Sequence, residues 1–289
     1  MRFIFKVLFW VMAIVGILAT ISHFSGSEPP PLGDRVGVLK VSGFIADAEE
    51  SVKALDYFRE NSDVKAVIVR VISPGGVIAP SQEIRDAVKR TAEAKPVIAS
   101  FGAVAASGGY YLSAPATRII ADPGSITGSI GVIMQFPEYE VLLDKIGMRT
   151  RTLKSGPFKD TGSPMRQMTD AEKAVMQSVV DDLFAQFVDV VAEGRKMDRA
   201  KVLALADGRI YSGRQALGLG LVDELGGFDA AVRAAGTLAG LGENPRLERW
   251  KRKRDGVLPL LLGSEDADAV GNVAAPLTAS PARYLLSGW

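Results

Sequence analysis

The 289-residue sequence has no cysteine and a single histidine. Without cysteine there is no thiolate nucleophile, no Cys-ligated zinc site and no disulfide framework. The histidine, His23, closes an apolar N-terminal segment far from any region patterned to fold. A Ser-His-Asp triad therefore cannot be built within this chain, and a His-rich metal site lacks its ligands. An excess of charge is missing too: 34 Lys and Arg stand against 33 Asp and Glu, for a net charge of +1. That balance gives no reason to expect a nucleic-acid partner. No internal repeat is visible, and the length suits one large domain or two modest ones with a substantial core.

One apolar run is long. Arg2 and Lys6 precede residues 7–21, an apolar stretch broken only by Gly16 and Thr20. With Phe3 and Phe5 before it and Phe24 after it, the segment reaches about 20 residues, the length of a membrane span. The following ATISHFSG offers no clean small-x-small cleavage site, so residues 1–24 are expected to be an uncleaved transmembrane anchor, with a signal peptide as the alternative. Basic residues ahead of the span put the N-terminus in the cytoplasm and the remainder outside it, at the inner or plasma membrane. Residues 25–34, SGSEPPPLGD, form a linker stiffened by three prolines.

From residue 35 the pattern alternates. RVGVLKVSG (35–43) and VKAVIVRVI (64–72) are β-branched, strand-like runs, while residues 47–60 and 81–93 place apolar side chains such as Val52, Leu55 and Phe58 at helical spacing. Asp47 and Glu50 suit a capping pair. PVIASFG (96–102) and TRIIADP (117–123) supply further strands. Strands alternating with helices predict a layered α/β domain whose parallel sheet is buried on both faces. A long amphipathic helix should open at a Thr169-x-x-Glu172 capping box, continue through Val175, Val179, Leu183, Phe187 and Val191, and close at Arg195 and Lys196. A shorter one should follow over 229–241.

Three glycine-rich stretches follow strand-like segments: SPGG (73–76), AASGGYY (105–111) and GSITGSIGV (124–132). Loops at the carboxyl ends of parallel strands converge on one edge, where ligands bind. Glycines there let a substrate backbone approach free N–H groups, as an oxyanion site requires. Ser107 is then either a nucleophile at a helix start or an N-cap residue. A nucleophilic hydroxyl in this chain needs a base other than imidazole, and lysine is the natural candidate. A free lysine near pKa 10.4 is neutral too rarely at pH 7, so burial must bring it down by roughly three pH units. Lys159 stands apart from the other lysines because it lies in the Gly/Pro/Ser segment KSGPFKDTGSP (154–164), between strand-like MRTRTL (148–153) and the capped helix. A loop lysine is otherwise a solvated one.

Taken in order, SPGG, the stretch from 95 to 132, LKSGPFKDTGSPMRQMT (153–169) and DGRIYSGRQALGLGLVDELGG (207–227) resemble the signal peptide peptidase A family in its short form. The resemblance implies membrane-anchored serine endopeptidases with a Ser-Lys dyad and a fold related to the Clp protease and crotonase superfamily. It makes Ser107 the nucleophile, Lys159 the general base and Ser129 the residue that orients the lysine amine. Gly76 and Gly108 become the oxyanion-hole region. No cofactor or metal is implied. Peptide substrates, signal-peptide remnants among them, a membrane and a homo-oligomeric ring are the implied partners. In such a ring a lysine can reach a serine of the adjacent copy.

The peptidase domain is expected over 35–245 and a basic segment with a tail over 246–289. RLERWKRKR (246–254) reads as a solvated face or as a patch for anionic lipid. LPLLLG and RYLLSGW in the tail are too short to span a membrane. Two other readings stay open at this point: a crotonase-like acyl-CoA enzyme, and a membrane scaffold whose Ser107 and Lys159 are structural.

Overall fold

The computed structural model of the protein describes residues 33–251, together with Trp10, Met12 and the backbone of residues 284–286. The expected anchor, His23, most of the linker and most of the tail lie outside the described residues. Among the described residues no helix is long and apolar enough to cross a membrane.

The chain runs β1 (Arg35–Ser42), α1 (Glu49–Glu60), β2 (Val64–Ser73), β3 (Gly76–Val77), α2 (Ile78–Ala94), β4 (Val97–Ala106), α3 (Gly108–Ser113), β5 (Arg118–Ala121), β6 (Ile126–Gly128) and β7 (Ile133–Met134). It continues with α4 (Glu140–Lys145), α5 (Asp170–Arg195), α6 (Arg199–Leu205), β8 (Ile210–Ser212), α7 (Gly213–Leu219), β9 (Glu224–Leu225), α8 (Phe228–Leu238), β10 (Leu247–Arg249) and β11 (Tyr284–Leu286). Strands in the order β10-β1-β2-β4-β5-β9 form a parallel sheet. β6 runs parallel to the carboxyl end of β4 and carries β8 antiparallel on its other side.

The strands alternate side chains between two faces, and both faces are covered. Val67, Val69 and Val71 of β2 join Leu55, Phe58, Ile84 and Val88 in one core. Ala66 and Ile68 of the same strand pack with Val36, Val38 and Ile98 against Ala230, Ala231 and Ala235 of α8. Fully burying a Val or Ile side chain contributes about 1.5–3 kcal/mol. The sheet is therefore the rigid part of the molecule, and its carboxyl edge is where precise positions can be held.

Several local expectations shift. α1 starts at Glu49: Asp47 accepts a hydrogen bond from the Glu49 N–H at 2.9 Å, but Glu50 turns to Lys53 instead of completing the capping pair. α2 begins at Ile78 rather than at 81, because Val77 leaves β3 extended and Pro80 is tolerated in a first helical turn. The Thr169–Glu172 capping box of α5 forms as expected. Only the second half of α5 is packed, however. Phe187, Val188, Val190 and Val191 are buried, whereas Val175 and Val179 are exposed. MRTRTL forms no strand. Part of the basic run is structural: β10 joins the sheet edge, Arg35 donates to Glu248 at 2.6 Å and Asp63 at 2.9 Å, and Trp250 packs against Tyr57 and Phe58.

Candidate active site

β4 ends at Ala106, and Ser107 turns the chain directly into α3. Its backbone sits at φ 52°, ψ −119°, a region normally left to glycine that costs about 1–3 kcal/mol for other residues. The strain is held on both sides: the Ser107 N–H donates to the Gly128 carbonyl at 2.8 Å, and the Ser107 carbonyl accepts from the Tyr111 N–H at 2.8 Å. The side chain caps nothing. Ser107 is 1% exposed and its Oγ has no hydrogen-bond partner. An unpaired buried hydroxyl costs about 1–3 kcal/mol, so this geometry argues against a capping serine.

Ser129 stands beside it for a topological reason. Ala106 of β4 pairs with Gly128 of β6, so Ser107 and Ser129 each leave the sheet one residue beyond the same rung. Ser129 also has positive φ, at 51°, and its N–H donates to the Arg209 carbonyl at 2.9 Å. Two hydroxyls tie the strands under this point: Thr127 donates to the Ala105 carbonyl at 2.7 Å and Ser125 to the Gly102 carbonyl at 2.6 Å.

The two predicted oxyanion glycines meet. A Cβ on Gly108 would lie 2.6 Å from Ser81 Oγ and 3.2 Å from the Gly76 nitrogen, and a Cβ on Gly76 would lie 2.2 Å from the Ile45 carbonyl oxygen. No side chain fits at either position. The small residues of SPGG and AASGGYY therefore allow two loops to touch, backbone on backbone, next to Ser107. Behind them α3 is anchored by the Tyr110 hydroxyl, which donates to the Leu221 carbonyl at 2.9 Å, and by Tyr111 edge-on to Phe187 with ring centroids 4.9 Å apart.

Lys159 is not brought to Ser107 within the chain. It is exposed, and its amine makes no hydrogen bond or ion pair among the described residues. Its loop is nevertheless braced. Asp160 accepts from Lys154 at 2.6 Å and from Arg166 at 2.8 Å, and Arg166 continues to Glu172, which closes the α5 capping box. The Arg166 guanidinium, with help from Lys154, holds the Asp160 carboxyl well below the usual carboxylate range. Arg166, then the Thr169 N–H, brings Glu172 down to about 2. Sequence reasoning missed this network. Its one trace is a set of charged residues spaced through a Gly/Pro loop that ends in a capping box.

Lys95 is a useful contrast. Burial, with Lys65 and Arg59 adding to it, lowers its pKa. Its Nζ, however, donates to the carbonyls of Phe58, Asn61 and Val64, at the opposite end of β4, about 30 Å of strand from Ser107. It is a structural amine.

A buried hydroxyl without a hydrogen-bond partner, where two glycine loops meet at the sheet edge, suits acyl transfer, and the class this points to is a serine hydrolase. Comparison with known proteins narrows the class. A Synechocystis protein named as a protease is 44% identical over 209 residues, covering 72% of this chain and 75% of that one. Protease 4 of Haemophilus influenzae is 35% identical over 212 residues, 70% of this chain and 34% of the relative. The chloroplastic serine protease SPPA of Arabidopsis thaliana is 32% identical over 237 residues, 81% of this chain and 35% of the relative. The chain thus spans about three quarters of the first and about a third of the other two. Residues 89–242 match peptidase family S49. The chain belongs to that family, the signal peptide peptidase A family its motifs resemble, and is a serine endopeptidase.

Proposed function

We propose that the chain hydrolyses peptides with a Ser-Lys dyad in which Ser107 is the nucleophile and the base is Lys159 of a neighbouring copy. The neutral amine takes the Ser107 proton as Oγ attacks the peptide carbonyl, and the amides at Gly76 and Gly108 donate to the oxygen that becomes negative. The C–N bond breaks, and the ammonium returns its proton to the leaving amine. A water molecule deprotonated by the same lysine then hydrolyses the acyl ester. Ser129, one rung across, orients the amine.

The observation that carries this reading is the Ser107 hydroxyl, buried and unpaired, on a strained turn where Gly108 touches the Gly76 amide. Assembly is supported by a second feature. No residue between 131 and 171 is buried, and Val141, Leu142, Ile146 and Met148 are all more than half exposed. A second copy covering this face would strip water from the Lys159 amine and make it a base. By the family resemblance the enzyme is a membrane-tethered ring acting outside the cytoplasm on signal-peptide remnants.

A fluorophosphonate probe tests the dyad on the assembled protein. Labelling at Ser107 alone is expected, with labelling and peptidase activity lost in Ser107→Ala and Lys159→Ala while the fold is retained. A folded, assembled sample that does not label contradicts it.

A further inference from the structure

α8 covers only the amino-terminal half of its face of the sheet. It starts at Phe228 and packs on Val36, Val38, Ala66, Ile68 and Ile98. Farther along the same strands that face is open: Lys40 and Ser42 of β1 are exposed, and Arg70 and Ile72 of β2 are partly so. Lys40 and Arg70 are direct neighbours across β1 and β2, and Arg249 of β10 stands opposite Val38, two residues before Lys40. Paired residues of parallel strands share a face, so all three cations stand on the α8 side. Phe228 confirms it, with the Arg70 guanidinium carbon 5.7 Å and that of Arg249 5.3 Å from its ring centroid. Like charges opposite one another on neighbouring strands destabilise a sheet. Other cations of this sheet are matched: Arg118 pairs with Glu224, and Arg35 with Asp63 and Glu248. Lys40, Arg70 and Arg249 form no ion pair among the described residues. Arg70 donates to Ser100 Oγ and to the Phe101 carbonyl, both at 2.9 Å and both through Nη1, which leaves its other nitrogens to a ligand. Asp122, the carboxylate whose charge acts on Arg70, lies beyond ion-pair distance.

We infer that this open face docks on the anionic headgroups of a lipid bilayer, with Lys40, Arg70 and Arg249 donating to phosphate oxygens. Neighbouring strands are about 4.8 Å apart, so a row over β10, β1 and β2 is about 10 Å across. That is broad for one small anion and suits an array of phosphates, which the two guanidinium groups can each take in bidentate fashion. The choice of a bilayer rests on the membrane-tethered reading. Residues 25–34 precede β1, and ten residues reach at most about 35 Å, so a bilayer that holds residues 1–24 is within reach of Lys40. Docking would set the orientation of the sheet on the membrane, and with it the height at which Ser107, at the carboxyl edge, meets a membrane-borne peptide.

The chain has no cysteine, so Ser42→Cys, exposed on this face, gives a fluorophore one point of attachment. The labelled full-length chain is placed in lipid nanodiscs that carry a headgroup quencher, made of phosphatidylcholine alone or mixed with phosphatidylglycerol. Quenching is expected to be strong in the mixed discs, weak in phosphatidylcholine, and released at high salt, where the attraction is screened. A basic residue near an anionic surface strengthens binding about fivefold, so Lys40→Gln with Arg249→Gln should lower the docked-to-undocked ratio about 25-fold. Hydrolysis of a soluble fluorogenic peptide should stay unchanged in that double variant. Equal quenching in both lipids, in a chain that alkaline carbonate does not extract, overturns the inference and leaves the tether standing; extraction by carbonate overturns the tether and the inference with it. Quenching undiminished in the double variant overturns it as well, as does energy transfer between labels on neighbouring copies in both lipids alike, which would show a second copy on this face. Charge-dependent docking by a chain that hydrolyses no peptide supports the inference and counts against the dyad alone.

Discussion

Residues 97–130 and residues 131–171 are similar in length and both carry glycine and serine motifs, yet they are built in opposite ways. The first is β4, α3, β5 and β6, mostly buried, with Ser107 fixed by strand pairing and by hydrogen bonds on both sides. The second buries no residue and is held by ion pairs that run from Lys154 through Asp160 and Arg166 to the buried Glu172 just beyond it. The sheet by itself holds Ser107, the proposed nucleophile, and brings Gly76 and Gly108 together beside it. The segment carrying Lys159, the proposed base, is locally braced by those ion pairs but exposed along its length. On this account an unassembled chain carries a formed nucleophile and no working base, which keeps proteolysis tied to assembly.

The sharpest way to break the comparison is to damage the half that one chain completes by itself. Gly76→Ala places a Cβ 2.2 Å from the Ile45 carbonyl oxygen, so the amide must move. Peptidase kcat should fall about 10²–10³-fold, the cost of losing one oxyanion donor, while chain assembly, measured by light scattering, persists. Arg166→Ala acts on the other half. It frees the Lys159 loop without touching the sheet, so activity should drop roughly tenfold through misplacement of the base, with Tm little changed. Carboxyl titration by NMR checks the cause. Glu172, held at about 2 by Arg166 and the Thr169 N–H, should rise toward the usual carboxylate range in the variant. Because its folded pKa is depressed, the contribution of Glu172 to loop order is complete above that range and is lost as pH falls through about 2. The smallest effect is Ser107→Gly against Ser107→Ala. Glycine tolerates φ 52°, so it should be more stable by about 1 kcal/mol in denaturant unfolding.

Legibility followed the same division. β1, β2, β4 and β5 could be read from β-branched runs, and SPGG and AASGGYY from glycines that two touching backbones require, because those patterns answer to contacts inside the chain. The pairing of Ser107 with Ser129 needed the Ala106–Gly128 rung, which no spacing announces. MRTRTL and the front of α5 misled for a different reason. Their apolar residues mimic core positions, yet Val175, Val179 and Leu153 face outward, and in sequence an exposed apolar pattern looks the same as one meant for the interior. The strand at Tyr284–Leu286 was equally hidden, since a short apolar stretch does not state which edge it will join.

The most direct test of a base delivered from a neighbour is to mix two inactive chains. Ser107→Ala and Lys159→Ala, co-assembled in equal amounts from dissociated subunits, place an intact serine beside an intact lysine at about a quarter of their interfaces. Peptidase activity should recover to about that fraction of wild type. Mixed assemblies that form but stay as inactive as either parent would contradict the account, because serine and lysine would then have to come from the same chain.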